Sequence, residues 1–473
     1  MAYIKGTDRE QIILFPDAID DYIEEDNMVR FIDAFVDSLD MVSLGFKYAV
    51  TKETGRPPYD PKDMLKLYIY GYLNKVRSSR RLEKETRRNV EVMWLIKRLT
   101  PDFKTIADFR ATNTGAIRSV FKEFTFMCKR LDLFGAELVA IDGSKFRASN
   151  AKKKNFTKKK LQRTIKEIEK KIDEYLTDLD ENDKQETDAP KPTAKELKEK
   201  IDALKARKDN YQNLLEEMKK KGVSEVSLTD PDCRSMMNNQ RVEPCYNIQT
   251  TVDSKHKLIV DFEATNEAAD QHSLSKMATR AKEILEVDTI EVTADKGYYD
   301  SQDIKMAVDA RIIPFIPKPQ AKGTKDGCFP KDKFTYESQT DTYTCPAGEK
   351  LAFVKTTKNR GKKMRLYEGK SCPSCTLKEK CTKALKRTVT RWKHDEILEE
   401  MQERVLLNQD KIRIRQWLSE HPFGTVKRSF DQGFMLLRGL KKVNTEVSLS
   451  FLAYNIKRVI NIVGIKDLIA AVT

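Results

Sequence analysis

At 473 residues the chain is long enough for two or three domains, and its 88 Lys and Arg against 73 Asp and Glu leave a net charge of +15. A basic balance of that size favours a polyanionic partner, nucleic acid being the commonest, whereas no apolar run approaches the roughly 18 residues of a membrane span. The opening Met1-Ala2-Tyr3-Ile4-Lys5-Gly6 carries no secretory apolar stretch, so the expected compartment is the cytoplasm, where closely spaced cysteines point to metal rather than disulfides.

Residues 1–135 read as mostly helical. Apolar positions recur at helical spacing in Met28-Val29-Arg30-Phe31-Ile32-Asp33-Ala34-Phe35-Val36 and in Met64-Leu65-Lys66-Leu67-Tyr68-Ile69-Tyr70-Gly71-Tyr72. Pro57, Pro58 and Pro61 break the chain before the second run, and Asp60 or Pro61 can start its helix. Lys75, Arg77, Arg80, Arg81, Lys84, Arg87, Arg88, Lys97 and Arg98 follow, opposed only by Glu83, Glu85 and Glu91. With Leu82, Val90, Met93, Trp94 and Leu95 between them, they predict helices with one buried and one basic face. Arg77, Arg80, Arg81, Arg87 and Arg88 are the candidate phosphate contacts on that face; a solvated surface is the plainer alternative.

From Leu138 the pattern changes to short β-rich runs. Leu138-Val139-Ala140-Ile141 is closed by Asp142, with Gly143 after it. Residues 155–221 interrupt the core with two heptad seams, Ile165, Ile168, Ile172, Tyr175 and Leu179 in one, Leu197, Ile201, Leu204, Tyr211, Leu215 and Met218 in the other. A polar joint containing Pro190 and Pro192 separates them, which predicts an antiparallel, coiled-coil-like helical hairpin. Runs at 246–252 and 258–262 flank a hairpin turn. A helix over 269–284 leads to Ile290-Glu291-Val292-Thr293-Ala294, closed by Asp295 and followed by Gly297. Asp230 and Asp232 read as a Pro-containing turn, and Asp270 as a residue that caps or positions the following helix. A further helix and a short strand end near residue 316.

Residues 320–395 form a second, cysteine-bearing insertion. Cys372 and Cys375 make a CxxC, Cys381 follows, and Cys345 lies upstream in a turn. Four soft ligands suit a closed, structural Zn²⁺ site, with ordinary reduced thiols as the alternative. Cys128, Cys233, Cys245 and Cys328 read as packing thiols. Glu420 opens Glu420-His421-Pro422-Phe423-Gly424-Thr425-Val426-Lys427-Arg428, and Pro422 places it at the expected start of a new helix. Asp142, Asp295 and Glu420 on three distant segments of a basic chain are what two-metal phosphodiester chemistry needs, since hard Mg²⁺ ions about 3.5–4 Å apart share anionic oxygens.

These residues, with Thr105-Ile106-Ala107-Asp108-Phe109-Arg110, Ile141-Asp142-Gly143-Ser144-Lys145, Thr229-Asp230-Pro231-Asp232, Tyr246-Asn247-Ile248-Gln249 and Ala294-Asp295-Lys296-Gly297-Tyr298, occur in an order that resembles a DDE transposase of a bacterial insertion sequence. More narrowly, the chain resembles the IS-eleven-eighty-two type of the IS-four/IS-five group, over nearly its whole length. The resemblance implies an α/β protein with a mixed-sheet, RNase H-like catalytic core over 136–473 and an N-terminal helical DNA-binding domain over 1–135.

It also implies that Asp142, Asp295 and Glu420 hold two Mg²⁺ or Mn²⁺ ions, so that water cuts each transposon end and the exposed 3′-hydroxyl attacks target DNA. Lys427 stands at the family's offset from Glu420, and Lys145, Arg415 and Arg428 are further DNA contacts. Gln416, not arginine, occupies the family's preceding arginine position, with Arg415 beside it. The expected partners are the double-stranded transposon ends and target DNA, bound by a homodimer on the bacterial nucleoid. The rival readings are an RNase H-like site-specific nuclease without strand transfer, a domesticated DNA-binding protein without catalysis, and a basic scaffold protein.

Overall fold

The computed structural model describes residues 18–50, 57–151, 154–182, 194–319, 327–359 and 361–472. The joint with Pro190 and Pro192 and the side chain of Leu179 lie outside the described residues. Among the described residues no helix is long and apolar enough to cross a membrane.

Among the described residues, a 3-10 turn at Ile19–Tyr22 is followed by six α-helices: α1 (Met28–Asp37), α2 (Pro61–Leu73), α3 (Ser79–Arg88), α4 (Val90–Leu95), α5 (Phe103–Thr112) and α6 (Thr114–Arg130). Their starts follow local chemistry. Asn27 accepts from Val29 N (3.0 Å), Asp60 accepts from Lys62 N (2.7 Å) with Pro61 in the first helical position, and Asp102 accepts from Lys104 N (2.8 Å). Every residue of α2 from Met64 to Leu73 is buried, so it is a core helix rather than a surface one.

The next element, β1 (Leu138–Arg147), precedes β2 (Asn155–Thr157), α7 (Lys158–Asn182), α8 (Ala194–Lys220) and β3 (Glu225–Ser227). Helices α7 and α8 pack through Ile168, Ile172 and Ile201 at one level and Leu161 and Met218 near the base, where β2 pairs with β3. Then come β4 (Arg234–Asn238), β5 (Arg241–Asp253), β6 (Ile259–Thr265), α9 (Leu274–Leu285), β7 (Ile290–Ala294), α10 (Ser301–Asp309) and β8 (Ile312–Phe315). Together with β1 they form a six-stranded mixed sheet in the order β4-β5-β1-β7-β8, with β6 also on β5. β1 is antiparallel to β5 and parallel to β7, and β7 is parallel to β8.

The cysteine-bearing insertion is a five-stranded sheet of its own: β9 (Thr335–Glu337), β10 (Thr342–Thr344), β11 (Lys350–Asn359), β12 (Lys362–Gly369) and, after the short α11 (Lys378–Cys381), β13 (Thr388–Trp392). Phe334, Tyr343, Leu351, Tyr367 and Val389 give it a separate small core. Four helices close the chain: α12 (Asp395–Leu407), α13 (Gln409–Gly424), α14 (Leu440–Val463) and α15 (Ile465–Ala470), with a π-helical turn over Thr425–Ser429 between α13 and α14.

Helix α14 changes the expected division at residue 135. It is buried on nearly every face from Val443 to Ile456, and packs against α6 and α2 on one side and β6 on the other. One hydrophobic core therefore runs from Ile23 through the sheet to Leu468. The helical region and the sheet share this core because the helix that seals both lies at the far end of the sequence. Asp230 and Asp232 contribute here, accepting from Gly439 N (3.1 Å) and Leu440 N (2.8 Å) at the α14 N-terminus, where carboxylates suit the helix dipole.

Candidate active site

The register of the central strands brings two of the predicted acids together. Ile141 of β1 pairs with Ala294 of the parallel β7, so Asp142 and Asp295 follow side by side, each one residue beyond the pair. Gly143 N donates to Asp142 Oδ1 (2.8 Å) within β1, and Gly297 N donates to Asp295 Oδ1 (2.7 Å) in the turn after β7, so each carboxylate is held by a neighbouring main-chain N–H. Burial pushes the Asp142 carboxyl above its ordinary value and the Asp295 charge adds to the rise, while Ser419, Arg415 and the Gly143 N–H act against it.

Helix α13 crosses the Asp142 face of the sheet. Lys411 anchors its start to Glu291 of β7 (Nζ to Oε1 2.7 Å), and Arg415 Nη1 lies 3.6 Å from Asp142 Oδ2. Glu420 is exposed one residue beyond Ser419, where Gln416 Nε2 donates to its Oε1 (2.8 Å). The structure thus joins Asp142 to Asp295 but leaves Glu420 apart. Among the described residues, no three Asp, Glu, His or Cys side chains are grouped closely enough to hold a metal ion.

The expected helix start at Glu420 is also corrected, since α13 continues through Pro422 to Gly424. A proline inside a helix costs about 3 kcal/mol or more. Here the buried Leu418, Pro422 and Phe423 side chains offset that cost, and the hydrogen bonding loosens immediately into the π-helical turn.

Lys427 comes from that turn. Its Nζ donates to Ser144 Oγ (2.7 Å) and Lys145 O (2.8 Å) and sits 4.5 Å from the Phe146 ring centroid, and burial pushes its ammonium down to about 8. Side chains alternate along β1, so Asp142, Ser144 and Phe146 share one face and Lys427 lies on the Asp142 side.

The opposite face carries a polar network. Asp270 Oδ1 accepts from Lys145 Nζ (3.2 Å), Asn247 Nδ2 (2.7 Å) and Gln249 Nε2 (2.7 Å), and the buried Tyr298 hydroxyl donates to Gln249 Oε1. Of the two expected roles for Asp270, capping falls to Asp303, which accepts from the first N–H groups of α9. The network ties the turn that bears Asp295 to β5, which makes Tyr298, Gln249 and Asp270 positioning residues. Ser419 was not singled out from sequence; Tyr298 and Gln249 stood in the sequence motifs, but the link that joins them to Asp270 was not foreseen. A cue lay in Gly143, where a Cβ would overlap Gln249 Nε2 and Asp270 Oδ1.

The basic helices divide. Arg77, expected on a DNA face, is buried at 7% exposure and ion-paired to Glu446 (3.1 Å), so it is removed from that face. Its guanidinium also donates to Phe434 O (2.9 Å) and Asp431 O (3.1 Å), desolvated partners that only a charged fork satisfies together. Arg80 lies over the Phe103 ring, Arg87 pairs with Glu83 and Arg88 with Glu85, while Arg81 and Arg428 are exposed. Lys145 is committed to Asp270, and Arg415 faces Asp142.

Cys345, Cys372, Cys375 and Cys381 line one small cavity of about 20 Å³. Arg387 N donates to Cys372 Sγ (3.4 Å), and a Cβ at Gly369 would come within 2.7 Å of that sulfur. Burial pushes the Cys381 thiol up, with the other three cysteines adding to the rise.

Residues 17–112 match the transposase domain model DUF772, and residues 344–460 match the transposase DDE domain model. The second match includes Glu420, Lys427 and the four clustered cysteines. No curated protein matches the chain. A cryo-EM structure of the piggyBac transposase synaptic complex with hairpin DNA aligns over 95% of this chain and 80% of that one, at 10% identity and a TM-score of 0.30, a likeness too loose to carry argument. The two family matches support a DDE transposase.

Proposed function

We propose that the chain is the transposase of a bacterial insertion sequence of the IS-eleven-eighty-two type, acting on DNA through an RNase H-like DDE site. The observation that carries this reading is the side-by-side placement of Asp142 and Asp295 at the ends of adjacent parallel strands beneath α13. The sheet order supports it, three antiparallel strands (β6, β5, β1) continuing into two parallel ones (β7, β8).

The two aspartates fit a divalent cation, since both offer hard oxygens and the Asp142 carboxyl is raised by burial and by a neighbouring like charge. Asp142, Asp295 and Glu420 would hold Mg²⁺ or Mn²⁺, two ions in the full site. Bound there, the ions would supply Lewis-acid polarisation of the phosphate and an activated water. The chain's own side chains position the DNA: Lys427 offers a cation beside Ser144, and Arg415 a guanidinium beside Asp142. Charge neutralisation and alignment are most of what phosphoryl transfer asks of a protein. Two element ends call for a homodimer on DNA, working in the bacterial cytoplasm.

The test uses DNA carrying the inverted repeats that flank the gene, with Mg²⁺. Wild type should yield joined products from 3′-hydroxyl attack on a second DNA. Asp142→Asn, Asp295→Asn and Glu420→Gln should each abolish cleavage while retaining binding. Cleavage without joined products would replace the reading with a site-specific nuclease. Near-normal cleavage by the Glu420 variant would remove that residue from the site.

We also propose a structural Zn²⁺ held by Cys345, Cys372, Cys375 and Cys381. Four cysteines lining one small cavity, with a main-chain N–H aimed at one sulfur, support it; the thiols as placed are not grouped as a metal set, so the ion would have to draw them together.

A further inference from the structure

Past Asp142, β1 runs to Arg147 and opens onto two clefts of about 600 and 490 Å³. Both are lined by Arg147, Glu243 and Phe434, so they form one trough. Lys427 stands at the inner end of the second cleft and reaches Ser144, two residues from Asp142. The trough therefore leads away from the paired aspartates.

Its charge is one-sided. Arg147, Lys154, Arg241, Arg438 and Lys427 line it, against Glu243 and Asp431. Arg147, Lys154 and Arg241 are exposed, and among the described residues none of the three has an ion pair, unlike Arg87, Lys145 and Arg415. Arg438 is also exposed and, among the described residues, donates through Nε to Ser149 O (3.1 Å).

Two of these cations stand on a firm frame. Arg147 N donates to Gly433 O (3.2 Å) and Met435 N donates to Arg147 O (2.8 Å), adding a short segment alongside β1. Arg241 pairs across the β4–β5 hairpin with Asn238, behind a two-residue turn whose Asn239 and Gln240 take φ values of 46° and 65°. A cleft lined mainly by exposed cations focuses a positive potential that attracts a polyanion.

Resting on the transposase reading, we infer that this trough is the track for a DNA strand leaving the Asp142–Asp295 site, its phosphates lying against Arg147, Arg241 and Arg438. Clefts of this volume take nucleotide-sized groups, so the strand in it is single, and Asn238 and Asn239 add amide donors suited to phosphate oxygens.

The experiment measures binding of a fluorescein-labelled 20-nucleotide single strand to the full chain by anisotropy over a salt series. Combined Arg147→Ala, Arg241→Ala and Arg438→Ala should weaken binding on the order of tenfold and flatten the log–log salt slope by about 2, three phosphate contacts being lost. Combined Arg147→Lys, Arg241→Lys and Arg438→Lys should keep the slope. Lys205→Ala, Lys219→Ala and Lys220→Ala, an equal charge loss on α8, should change it little.

An unchanged slope in the first variant overturns the track. So does equal weakening in the α8 control, a flattened slope in the lysine variant, or equally tight wild-type binding to a polyglutamate of the same charge. Cleavage of element-end DNA is read separately. A protein that cleaves but shows no slope change loses the track alone, and one that shows the slope change but never cleaves loses the transposase reading.

Discussion

Arg77 and Glu446 meet in a buried ion pair 369 positions apart in sequence, at 7% and 0% exposure, and fasten the N-terminal helices to α14. Glu446 also accepts from Leu436 N and Leu437 N, 3.0 Å each, so the pair holds the segment leading from the π-helical turn that bears Lys427 into α14. Removing one partner of such a pair strands a buried charge. Arg77→Ala or Glu446→Ala should each cost about 3–5 kcal/mol in denaturant unfolding, and Arg77→Met with Glu446→Leu much less than their sum. Additive losses would show that the two charges are not coupled. Residues 1–135 expressed alone would expose the face that α14 covers, so DNA binding is best measured on the full chain.

Gly143 sits where the Asp142 strand meets the Asp270 network. A methyl group there overlaps Gln249 Nε2 and Asp270 Oδ1 and lies 3.0 Å from Asn247 Oδ1, so Gly143→Ala should destabilise by about 1–3 kcal/mol. The penalty should shrink in a Gln249→Ala background, which opens the space. Equal penalties in both backgrounds would place the strain elsewhere.

Much of this was legible in sequence, and the parts that were not share a cause. Asp142 and Asp295 each close an apolar run, and a parallel register needs nothing more to set them together. Arg77 and Arg81 look alike in the same basic stretch, yet one is buried because Glu446 waits on a distant helix. The trough cations Arg147, Arg241 and Arg438 come from three separated segments and carry no common motif. The five-stranded sheet was hidden because β11 is mostly exposed, with lysines and threonines where an apolar alternation would have marked it. Glu420 was visible as a motif, but its place on the exposed side of α13 depends on the helix running through Pro422, which local rules argue against.

Lys427 carries a pH signature. Burial lowers its ammonium from 10.5 to about 8, so the folded state disfavours the charged form. The neutral amine's contribution to stability is fully present above 10.5 and is lost as pH falls through about 8. Compared with Lys427→Met, wild type should therefore gain in Tm as pH rises from 8 to 10.5, whatever constant offset the lost hydrogen bonds to Ser144 and Lys145 introduce. A pH-independent difference would mean the lysine keeps its ordinary titration. Cleavage by the Met variant should fall at least on the order of tenfold, since a phosphate-neutralising charge is gone.

The cysteine cluster gives the metal-content prediction. Protein purified without chelator should carry about one zinc per chain by elemental analysis, and Cys372→Ser with Cys375→Ser should carry none. Burial raises the Cys381 thiol and the other three cysteines add to the rise; a divalent ion would reverse that cost, so metal and local fold should be lost together. Hydrogen exchange should accelerate in β9–β13 on chelation and change least in the central sheet, whose core takes only Trp392 and Met364 from those strands. Gly369→Ala offers a milder probe, because its Cβ would come within 2.7 Å of Cys372 Sγ and displace a ligand without removing one. It should weaken zinc retention while leaving all four thiols titratable. Wild-type protein free of zinc, with β9–β13 already as protected as the central sheet, would leave the four cysteines as packing residues.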